Sequence, residues 1–375
     1  MKILIIPDSF KGSLPAIGFC EIVKKSFANE KGAIEINCIP LADGGEGTID
    51  ALEYAGAIKT EELVVEGANG HPRSAKYGVG ENNEAIIEMA QASGMDGLSN
   101  PLYTSTFGTG QLIKRAMEQG CQKIIVTLGG SATNDGGAGM AQALGFQLLD
   151  KKGYEIPKGG KALINLNEIV EPTHLSFENV GFVAACDVKN PLLGAYGASH
   201  VYGPQKGASL GDVDQLEKGL HQLNETWKAF IRRDFKDVPG GGAAGGLGAG
   251  MMAFLNAQYS SGFEIINSLL KIDSAIASAD VVITGEGSLD KQTQHGKLVD
   301  HVARLSVKHK KLLIVVAGKI DQSIDWENVY SVHKTYALTD YCKNYQDPLV
   351  DAAIILNQII NEEILPLIKY GKIHD

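Results

Sequence analysis

The segment KILIIPDSFKGSLPAIGFCEIVKKSF, residues 2–27, decides how the fold of this chain is predicted. Its first part, residues 2–7, is a compact apolar run rich in β-branched side chains, which predicts a buried strand. Ser13 then precedes apolar residues that would share one face of a helix. These residues are Ala16, Phe19, Cys20, Val23 and Phe27. The segment therefore predicts a strand, a loop and a helix in succession.

The same unit recurs at both ends of the sequence. Residues 34–39 predict a second strand, which is followed by the loop 42–48 and a short helix. Residues 280–284 and 312–317 predict continuously apolar strands, of the kind that is buried on both faces of a parallel sheet. Segments in the middle of the chain are mixed or alternating in character. The middle therefore predicts a separate body of the α/β class.

The length of the chain indicates more than one domain. It has 375 residues, whereas single cores stop growing at roughly 250–300 residues. The simplest arrangement is a βαβ domain built from residues 1–75 and 260–375, with residues 76–259 inserted as a second α/β domain. The active site is then expected in the cleft between the domains. Two sequential domains are the alternative that the sequence leaves open.

Composition and charge exclude several classes of protein. Hydrophobic residues make up 44% and charged residues 21% of the chain, which is typical of a globular enzyme and excludes disorder. The 45 glycines cluster in short runs, which suggest backbone held close to ligands. The net charge is −10 and no Lys/Arg run appears that could follow a nucleic-acid backbone, so nucleic acid is not an expected partner.

The cysteines and the apolar segments predict the compartment. Five cysteines, odd in number and widely spaced, indicate free thiols in a reducing environment. The start of the sequence lacks the pattern of a signal peptide, and no apolar run is long enough to cross a bilayer. We therefore expect a cytoplasmic protein without a membrane partner. The oligomeric state stays open, with a homo-oligomer as one outcome.

Two polar segments follow predicted strands near the chain ends. In residues 7–13, Lys11 is a candidate to neutralise a phosphate or carboxylate, and Asp8 and Ser9 are candidates either for substrate contacts or for capping a turn. The segment 284–297 combines carboxylates, hydroxyls and a lysine, which are the residue types that phosphoryl transfer requires. Its candidates are Glu286 for metal binding, Asp290 and Lys297 for catalysis, and Ser288 and Thr293 for substrate or phosphate binding.

Carboxylates also occur in two further loops. Asp43 begins the loop DGGEGT, whose spacing suits a metal or hydroxyl contact but also an acidic turn before a helix. Asp187 ends a predicted strand and is a candidate base or metal ligand, and Asn190 is a candidate to orient a hydroxyl group. The alternative for this second loop is a turn that begins at the aspartate and ends at Pro191.

Three glycine-rich segments are candidate anion cradles, because glycine lets backbone amides approach a phosphate closely. The candidate residues are Thr109 in GTG, Ser131, Asn134 and Asp135 in GGSATNDGGAG, and Gly241, Gly242 and Gly245 in PGGGAAGGLGAG. The last segment contains a formal G-x-G-x-x-G, but no predicted strand precedes it, so a dinucleotide site is poorly supported. Close-packing turns or a flexible hinge are the alternatives.

Several catalytic signatures are absent from the sequence. There is no G-x-x-x-x-G-K-[ST], which excludes the common P-loop, and the protein-kinase motifs are missing as well. There is no H-E-x-x-H, C-x-x-C or G-x-S-x-G, and the nine histidines are scattered without metal-ligand spacing. Zinc enzymes and serine hydrolases are therefore disfavoured.

Eight motifs, taken together and in order, make the sequence similar to one known family. They are DSFKGSL, ADGGEGT, GTGQLI, GGSATNDGGAGMAQALG, ACDVKNPL, YGPQKGA, PGGGAAGGLGAG and TGEGSLDKQT. These strings resemble the class I glycerate kinase family, whose members make 2-phosphoglycerate, and the resemblance extends from residue 2 to about residue 339. The resemblance implies an enzyme that uses ATP and Mg²⁺, with a discontinuous Rossmann-like domain and a flavodoxin-like insertion.

The resemblance leads to a specific chemical hypothesis. D-glycerate would be held by its carboxylate on Lys11 and on helix-terminal amides, while Asp187 or Asp290 accepts the proton of the 2-hydroxyl group. Lys297 and Mg²⁺ would stabilise the phosphoryl group that leaves ATP. The alternatives are a kinase of another small hydroxy or sugar acid, a dinucleotide-dependent oxidoreductase and a non-catalytic metabolite sensor.

Overall fold

The structure, a computed structural model, describes most of the chain. The described residues are 1–10, 12–28, 34–42, 44–95, 97, 100–291, 293–295, 298–343 and 346–370. Their strands are β1 (Lys2–Ile5), β2 (Glu35–Cys38), β3 (Ile58–Glu66), β4 (Pro72–Gly80), β5 (Glu84–Glu88), β6 (Lys123–Thr127), β7 (Gln147–Asp150), β8 (Leu166–Val170), β9 (Gly181–Ala185), β10 (Gln258–Ser260), β11 (Val281–Leu289), β12 (Leu312–Ile320) and β13 (Lys334–Ala337).

Helices connect most of these strands. They are α1 (Ala16–Phe27), α2 (Thr48–Tyr54), α3 (Met89–Ser93), α4 (Phe107–Glu118), α5 (Ala138–Ala143), α6 (Ala198–Tyr202), α7 (Leu210–Ile231), α8 (Ala243–Leu255), α9 (Gly262–Leu270), α10 (Ile272–Ser278), α11 (Leu298–Lys308), α12 (Trp326–Tyr330), α13 (Leu338–Tyr341), α14 (Ala352–Ile359) and α15 (Leu365–Tyr370). Among the helices described, none combines the length and the apolar character that a membrane span needs.

Contacts divide the chain into two compact units. The first unit comprises residues 1–43, 50–57 and 266–375, and the second comprises residues 44–49 and 58–265. A boundary at residue 75, as expected from the sequence, would divide β4, which pairs with β3 over the full length of both strands. Both strands belong to the second unit for this reason. The assignment of the units to independent domains stays a prediction.

The first unit contains a parallel sheet with the strand order β13-β12-β11-β1-β2. Residues 3–6 and 281–284 are buried without exception, so the apolar strands predicted near the chain ends are confirmed. On one face of this sheet, Phe19 and Val23 of α1 share an apolar core with Ile355 of α14.

The strand order of the first unit corrects the order that the resemblance implied. Numbered within the unit, β2, β1, β11, β12 and β13 have the order 2-1-3-4-5, which is flavodoxin-like and differs from the 3-2-1-4-5 order of a Rossmann sheet. The difference arises because the chain, on returning from the second unit, adds β11 beside β1 and continues outward. The α/β class itself is correct.

The second unit contains a mixed sheet with the order β10-β9-β6-β5-β4-β3. β3, β4 and β5 are antiparallel neighbours, whereas β5, β6, β9 and β10 run parallel. Each new strand is added beside the previous one in the sheet, so the strands follow chain order. The implied flavodoxin-like order of the insertion is therefore wrong. A separate two-stranded sheet pairs β7 with β8.

The glycine-rich segment 239–250 is buried because it approaches a second backbone segment closely. Gly245 and Gly246, in the first turn of α8, have positive φ angles and interrupt its regular helical geometry. The N–H of Gly136 donates to the carbonyl oxygen of Gly245 at 3.1 Å. A Cβ atom on Gly245 would overlap the carbonyl oxygen of Thr133. Only glycine fits this backbone-to-backbone contact.

Replacement of Gly245 by alanine tests this contact. Gly245→Ala is expected to lower the free energy of unfolding by more than Gly153→Ala does. Both glycines have positive φ, +67° and +79°, so alanine costs about 1–2 kcal/mol of backbone strain at either position. Only Gly245 adds the overlap with Thr133, since nothing lies within 4 Å of a Cβ atom on Gly153. Urea denaturation measures both losses, and equal losses would contradict the close packing.

Candidate active site

The carboxyl ends of β1 and β11 lie side by side in the first unit. The N–H of Asp8 donates to the carbonyl oxygen of Gly285 at 2.8 Å, and Thr284 Oγ1 donates to the carbonyl oxygen of Ile6 at 2.8 Å. Two polar segments that are far apart in the sequence therefore meet at one edge of the sheet. This is the edge at which open α/β sheets bind their ligands.

A cluster of hydrogen-bonded polar side chains occupies this edge. Thr293 Oγ1 donates to Glu286 Oε1 at 2.7 Å and accepts a bond from the N–H of Asp290 at 3.2 Å. Ser288 Oγ donates to Asp290 Oδ2 at 2.9 Å. Glu286 and Thr293 are buried, whereas Ser288 and Asp290 are half-buried. The structure thus brings together four of the five candidates that the sequence proposed in this segment.

Of the remaining candidates in the first unit, the structure describes two. Asp8 and Ser9 are half-buried, and the N–H of Ser9 donates to Asp8 Oδ1 at 2.6 Å. Both roles that the sequence left open for them, substrate contact and capping of a turn, stay predictions. Lys11, Lys297 and Asp43 lie outside the described residues.

Oxygen donors for a divalent cation are present in the Glu286 cluster. In the part of the chain that the structure describes, no group of three or more His, Cys, Asp and Glu side chains could hold a metal ion. Mg²⁺ needs only one or two carboxylates, because water and substrate phosphates complete its coordination. Glu286 and Asp290, linked through Thr293, fit that requirement. Asp187, the other predicted metal ligand, belongs to the second unit.

Asp187 is an exposed carboxylate that follows β9. Its Oδ1 accepts hydrogen bonds from Ser261 Oγ at 2.6 Å and from the N–H of Gly262 at 3.0 Å. These two bonds fix one oxygen of the carboxylate at the start of α9. The other oxygen, Oδ2, has no hydrogen bond to a described group.

Asn190 is engaged within the protein. Its Nδ2 donates to the carbonyl oxygen of Tyr196 at 2.9 Å, and its Oδ1 accepts a bond from the hydroxyl of Tyr202 at 2.8 Å. Its carbonyl oxygen accepts a bond from the N–H of Gly242 at 3.0 Å. These bonds hold Asn190 in place within the protein, and both the turn from Asp187 to Pro191 and a role of Asn190 toward substrate stay predictions.

The loop after β6 contains a lysine contact that sequence reasoning missed. Lys206 Nζ donates to the carbonyl oxygen of Thr133 at 2.7 Å and to Ser131 Oγ at 3.3 Å. Asn134 Nδ2 donates to Ser199 Oγ at 3.2 Å, whereas Asn134 Oδ1 has no partner among the described groups. Burial lowers the pKa of Lys206 to about 7. An amine with such a pKa exists in both protonation states near neutral pH.

The signal for Lys206 in the sequence is weak. The residue ends a short 3₁₀ turn, Pro204–Lys206, inside the motif YGPQKGA. Gly207 follows with a φ of +92°, so the chain turns sharply and the lysine side chain can point inward. Lysine is almost never fully buried unless it is paired, so sequence patterns alone favour an exposed side chain here.

Asp135 is a fully buried carboxylate whose partners are all supplied by the protein. The N–H groups of Thr106, Gly137 and Gly139 donate to it at 2.8, 3.1 and 3.2 Å. The hydroxyls of Thr106 and Ser105 donate at 3.0 and 3.3 Å. Burial raises the pKa of this carboxyl, and the hydrogen bonds act in the opposite direction. The predicted anion cradle at the start of α5 is thus occupied by an internal anion.

Four more predicted phosphate-binding residues are buried inside the second unit. They are Thr109, Gly241, Gly242 and Gly245. The hydroxyls of Thr109 and Ser93 share a hydrogen bond of 2.8 Å. Cβ atoms on Gly242 and Gly245 would overlap the carbonyl oxygens of Pro191 and Thr133. Close packing therefore accounts for the glycines, and phosphate binding by these residues stays a prediction.

Glu88 is a second residue that sequence reasoning missed. It ends β5, is 1% exposed, and its two carboxylate oxygens accept bonds from the N–H groups of Gly47 at 3.2 Å and Ile49 at 3.1 Å. Residues 47–49 are thereby attached to the carboxyl end of β5. The available signal was a glutamate at the end of a strand, EAIIE, that is buried throughout.

Comparisons with known proteins gave matches along nearly the whole chain. A model described as the glycerate kinase family matches residues 3–369. A glycerate 2-kinase of Escherichia coli (strain K12) is 41% identical over 344 residues, which are 90% of either chain. A glycerate kinase of Bacillus subtilis (strain 168) is 40% identical over 359 residues, which are 94% of either chain. A crystal structure of a protein assigned as glycerate kinase 2 from Salmonella typhimurium LT2 has a TM-score of 0.84 and 37% identity, over 99% of both chains.

Asp135 and Asp187, which both lie in the second unit, are expected to differ in their effect on stability. Asp135→Asn should lower the free energy of unfolding by about 3 kcal/mol or more. The reason is that the NH₂ group of asparagine would face backbone N–H groups that now donate to the carboxylate. Asp187→Asn removes an exposed charge and should change that free energy by less than about 1 kcal/mol. Guanidinium denaturation at pH 7 measures the free energy of unfolding of both variants. Similar losses of that free energy would contradict the stabilising role of the buried Asp135 carboxylate.

Proposed function

Because the chain belongs to the glycerate kinase family, we propose that it transfers the γ-phosphoryl group of ATP to D-glycerate. Its relatives are named glycerate kinases, and the chain is accordingly a kinase. The observation that carries the proposal is its similarity to the relative named glycerate 2-kinase. That name supports the 2-hydroxyl group as the acceptor, with 2-phospho-D-glycerate and ADP as products.

The cluster at the carboxyl ends of β1 and β11 supports this reaction. Phosphoryl transfer depends on positioning and on neutralising negative charge, and carboxylates that hold metal ions serve both purposes. Glu286 and Asp290 are the residues that would hold Mg²⁺ there, with Ser288 and Thr293 already oriented by hydrogen bonds to them. Bound Mg²⁺ would neutralise charge on the phosphates of ATP.

The proton of the acceptor hydroxyl group has two candidate acceptors, Asp187 and Asp290. Asp187 is exposed, and the bonds from Ser261 and Gly262 fix one of its oxygens while the other faces no described partner. Asp290 is half-buried and accepts a bond from Ser288, so part of its carboxylate is already engaged. We therefore assign the proton transfer to Asp187 and metal binding to Asp290.

Two lysines and the cellular setting complete the proposal. Lys11 and Lys297 keep their proposed roles in neutralising phosphate or carboxylate charge, which rest on their sequence positions alone. All five cysteines are free thiols, which supports a reducing compartment, and we propose the cytoplasm. The proposed partners are D-glycerate and ATP as small molecules, with a homo-oligomer left open.

A coupled assay tests the reaction directly. ADP release is expected with ATP, Mg²⁺ and D-glycerate, and phosphorus NMR should identify the 2-phosphate as the product. L-glycerate and glycerol serve as controls that lack the stereochemistry or the carboxylate. Release with another small hydroxy or sugar acid, and none with D-glycerate, would transfer the proposal to that substrate. A 3-phosphate product would refute the assignment of the acceptor hydroxyl.

Two aspartate variants separate the proposed roles. Asp187→Asn is expected to lower kcat about 100-fold or more at saturating substrates, since a general base is lost. Asp290→Asn is expected to raise the Mg²⁺ concentration needed for half-maximal rate. Asp214→Asn, an exposed aspartate on α7, is the matched control and should behave like the unmodified protein. Near-normal turnover of Asp187→Asn would remove it as the proton acceptor.

A further inference from the structure

No described carboxylate forms an ion pair with the buried amine of Lys206. The residue is 4% exposed, and its Nζ is held by a carbonyl oxygen and a hydroxyl, both uncharged. No ion pair joins it to an acidic residue of the described chain, and Asp135 acts on it only at longer range. Burial of an ammonium group without a counter-ion is strongly unfavourable. A lysine in this position is therefore suited to receive an anion from outside the protein.

The loop that holds Lys206 contains a second incomplete polar group. Asn134 is fully buried, and its Oδ1 accepts no hydrogen bond from any described group. Buried polar atoms are nearly always hydrogen-bonded, so this oxygen indicates a donor that the protein does not supply. A hydroxy acid offers both missing partners, because its carboxylate can accept from an ammonium and its hydroxyl group can donate to an amide oxygen.

The turn that holds Lys206 lies at the surface of the second unit. Pro204, Gln205 and Gly207, which flank Lys206, are exposed, and so is Gly130 in the loop that the amine contacts. Ser131, its hydroxyl partner, keeps 7% of its surface exposed. The lysine stem thus starts from an exposed turn and ends at a loop with an exposed neighbour.

The surroundings favour a carboxylate over a polyphosphate. The N–H groups of Gly137 and Gly139 at the start of α5 already donate to Asp135, so they do not form an open phosphate cradle. The loop offers one ammonium from Lys206, whereas the hydroxyl of Ser131 is already bonded to Thr133 within the loop. A single positive charge matches a monoanion.

We propose that Lys206 binds the carboxylate of the hydroxy acid that this enzyme phosphorylates. The inference rests on the proposed function, because it names the residue that holds the glycerate carboxylate. It differs from the sequence-based expectation, which placed that carboxylate on Lys11.

Steady-state kinetics of Lys206 variants test the assignment. Lys206→Met should raise KM for D-glycerate about 100-fold and change KM for ATP less than about threefold, since only the carboxylate contact is lost. Lys206→Arg retains the charge and should keep part of the affinity. Lys161→Met, at an exposed lysine of the same unit, is the matched control. A rise in KM for ATP alone would assign Lys206 to phosphate, and unchanged KM values would leave it a tether of the loop; either result overturns the proposal.

Calorimetry tests binding without turnover. Titration of the unmodified protein with D-glycerate at pH 8 should take up on the order of one proton per site, because a bound carboxylate favours the ammonium form of an otherwise mostly neutral amine. Asp135 is the titratable group that acts on Lys206 in the described structure, and its own backbone hydrogen bonds come from Thr106, Gly137 and Gly139. Measurement in two buffers of different ionisation enthalpy gives the proton count. D-lactate should behave like D-glycerate, whereas glycerol should not bind. D-glycerate binding without proton uptake would refute the site.

The outcomes distinguish this inference from the proposed function. If D-glycerate causes no ADP release, the kinase proposal fails, whereas proton uptake with D-glycerate and D-lactate still supports the carboxylate site. If phosphorylation proceeds and Lys206→Met keeps the KM of the unmodified protein, only the Lys206 assignment fails. Should Lys206→Met not fold, Lys206→Arg and the calorimetry of the unmodified protein give the same decision.

Discussion

The burial of the Asp135 carboxylate is the interaction on which the candidate site of the second unit depends. A charge inside a protein is tolerated only when its hydrogen bonds are complete, and here they come from the residues before α4 and from the start of α5. The two helices must therefore keep their positions relative to the loop after β6. A Cβ atom on Gly139 would overlap Ser105 Oγ, which explains why the segment needs glycine. The same fixed loop presents the carbonyl oxygen of Thr133 to Lys206.

Aspartates in this chain show how surroundings give one residue type different capacities. Asp135 is enclosed by donors and contributes to stability, whereas Asp187 is exposed with one oxygen held in place. The Asp290 carboxylate accepts a bond from Ser288, and its backbone N–H donates to Thr293, which in turn donates to Glu286; two nearby carboxylates of this kind suit oxygen coordination of a cation. A carboxylate whose oxygens are all bonded to protein donors is structural. A carboxylate with fewer protein donors can still bind a ligand.

The sequence predicted those features whose physical signal is local. Residues 2–7 and 312–317 contain β1 and part of β12, because a continuous apolar run is typical of a strand that is buried on both faces of a sheet. The boundary expected at residue 75 divides β4 and separates it from β3, since alternating side chains indicate a strand but not the sheet that it joins. Glycine runs were ambiguous, because a positive φ serves ligand binding and close packing equally. The burial of Lys206 was missed because it results from contacts with a loop about 70 residues away in the chain.

The pairing of β1 with β11 has a consequence for the biosynthesis of the chain. Thr284 Oγ1 bonds to the carbonyl oxygen of Ile6, and these residues are separated by 278 positions. A ribosome adds about 5–20 residues per second, so the first strand emerges roughly 15–55 s before its central neighbour exists. During that interval the nascent chain can complete the sheet of residues 58–265. The edge of β1 that pairs with β11 in the folded protein is still unpaired at that stage, and it therefore stays open until residues 281–289 have been made.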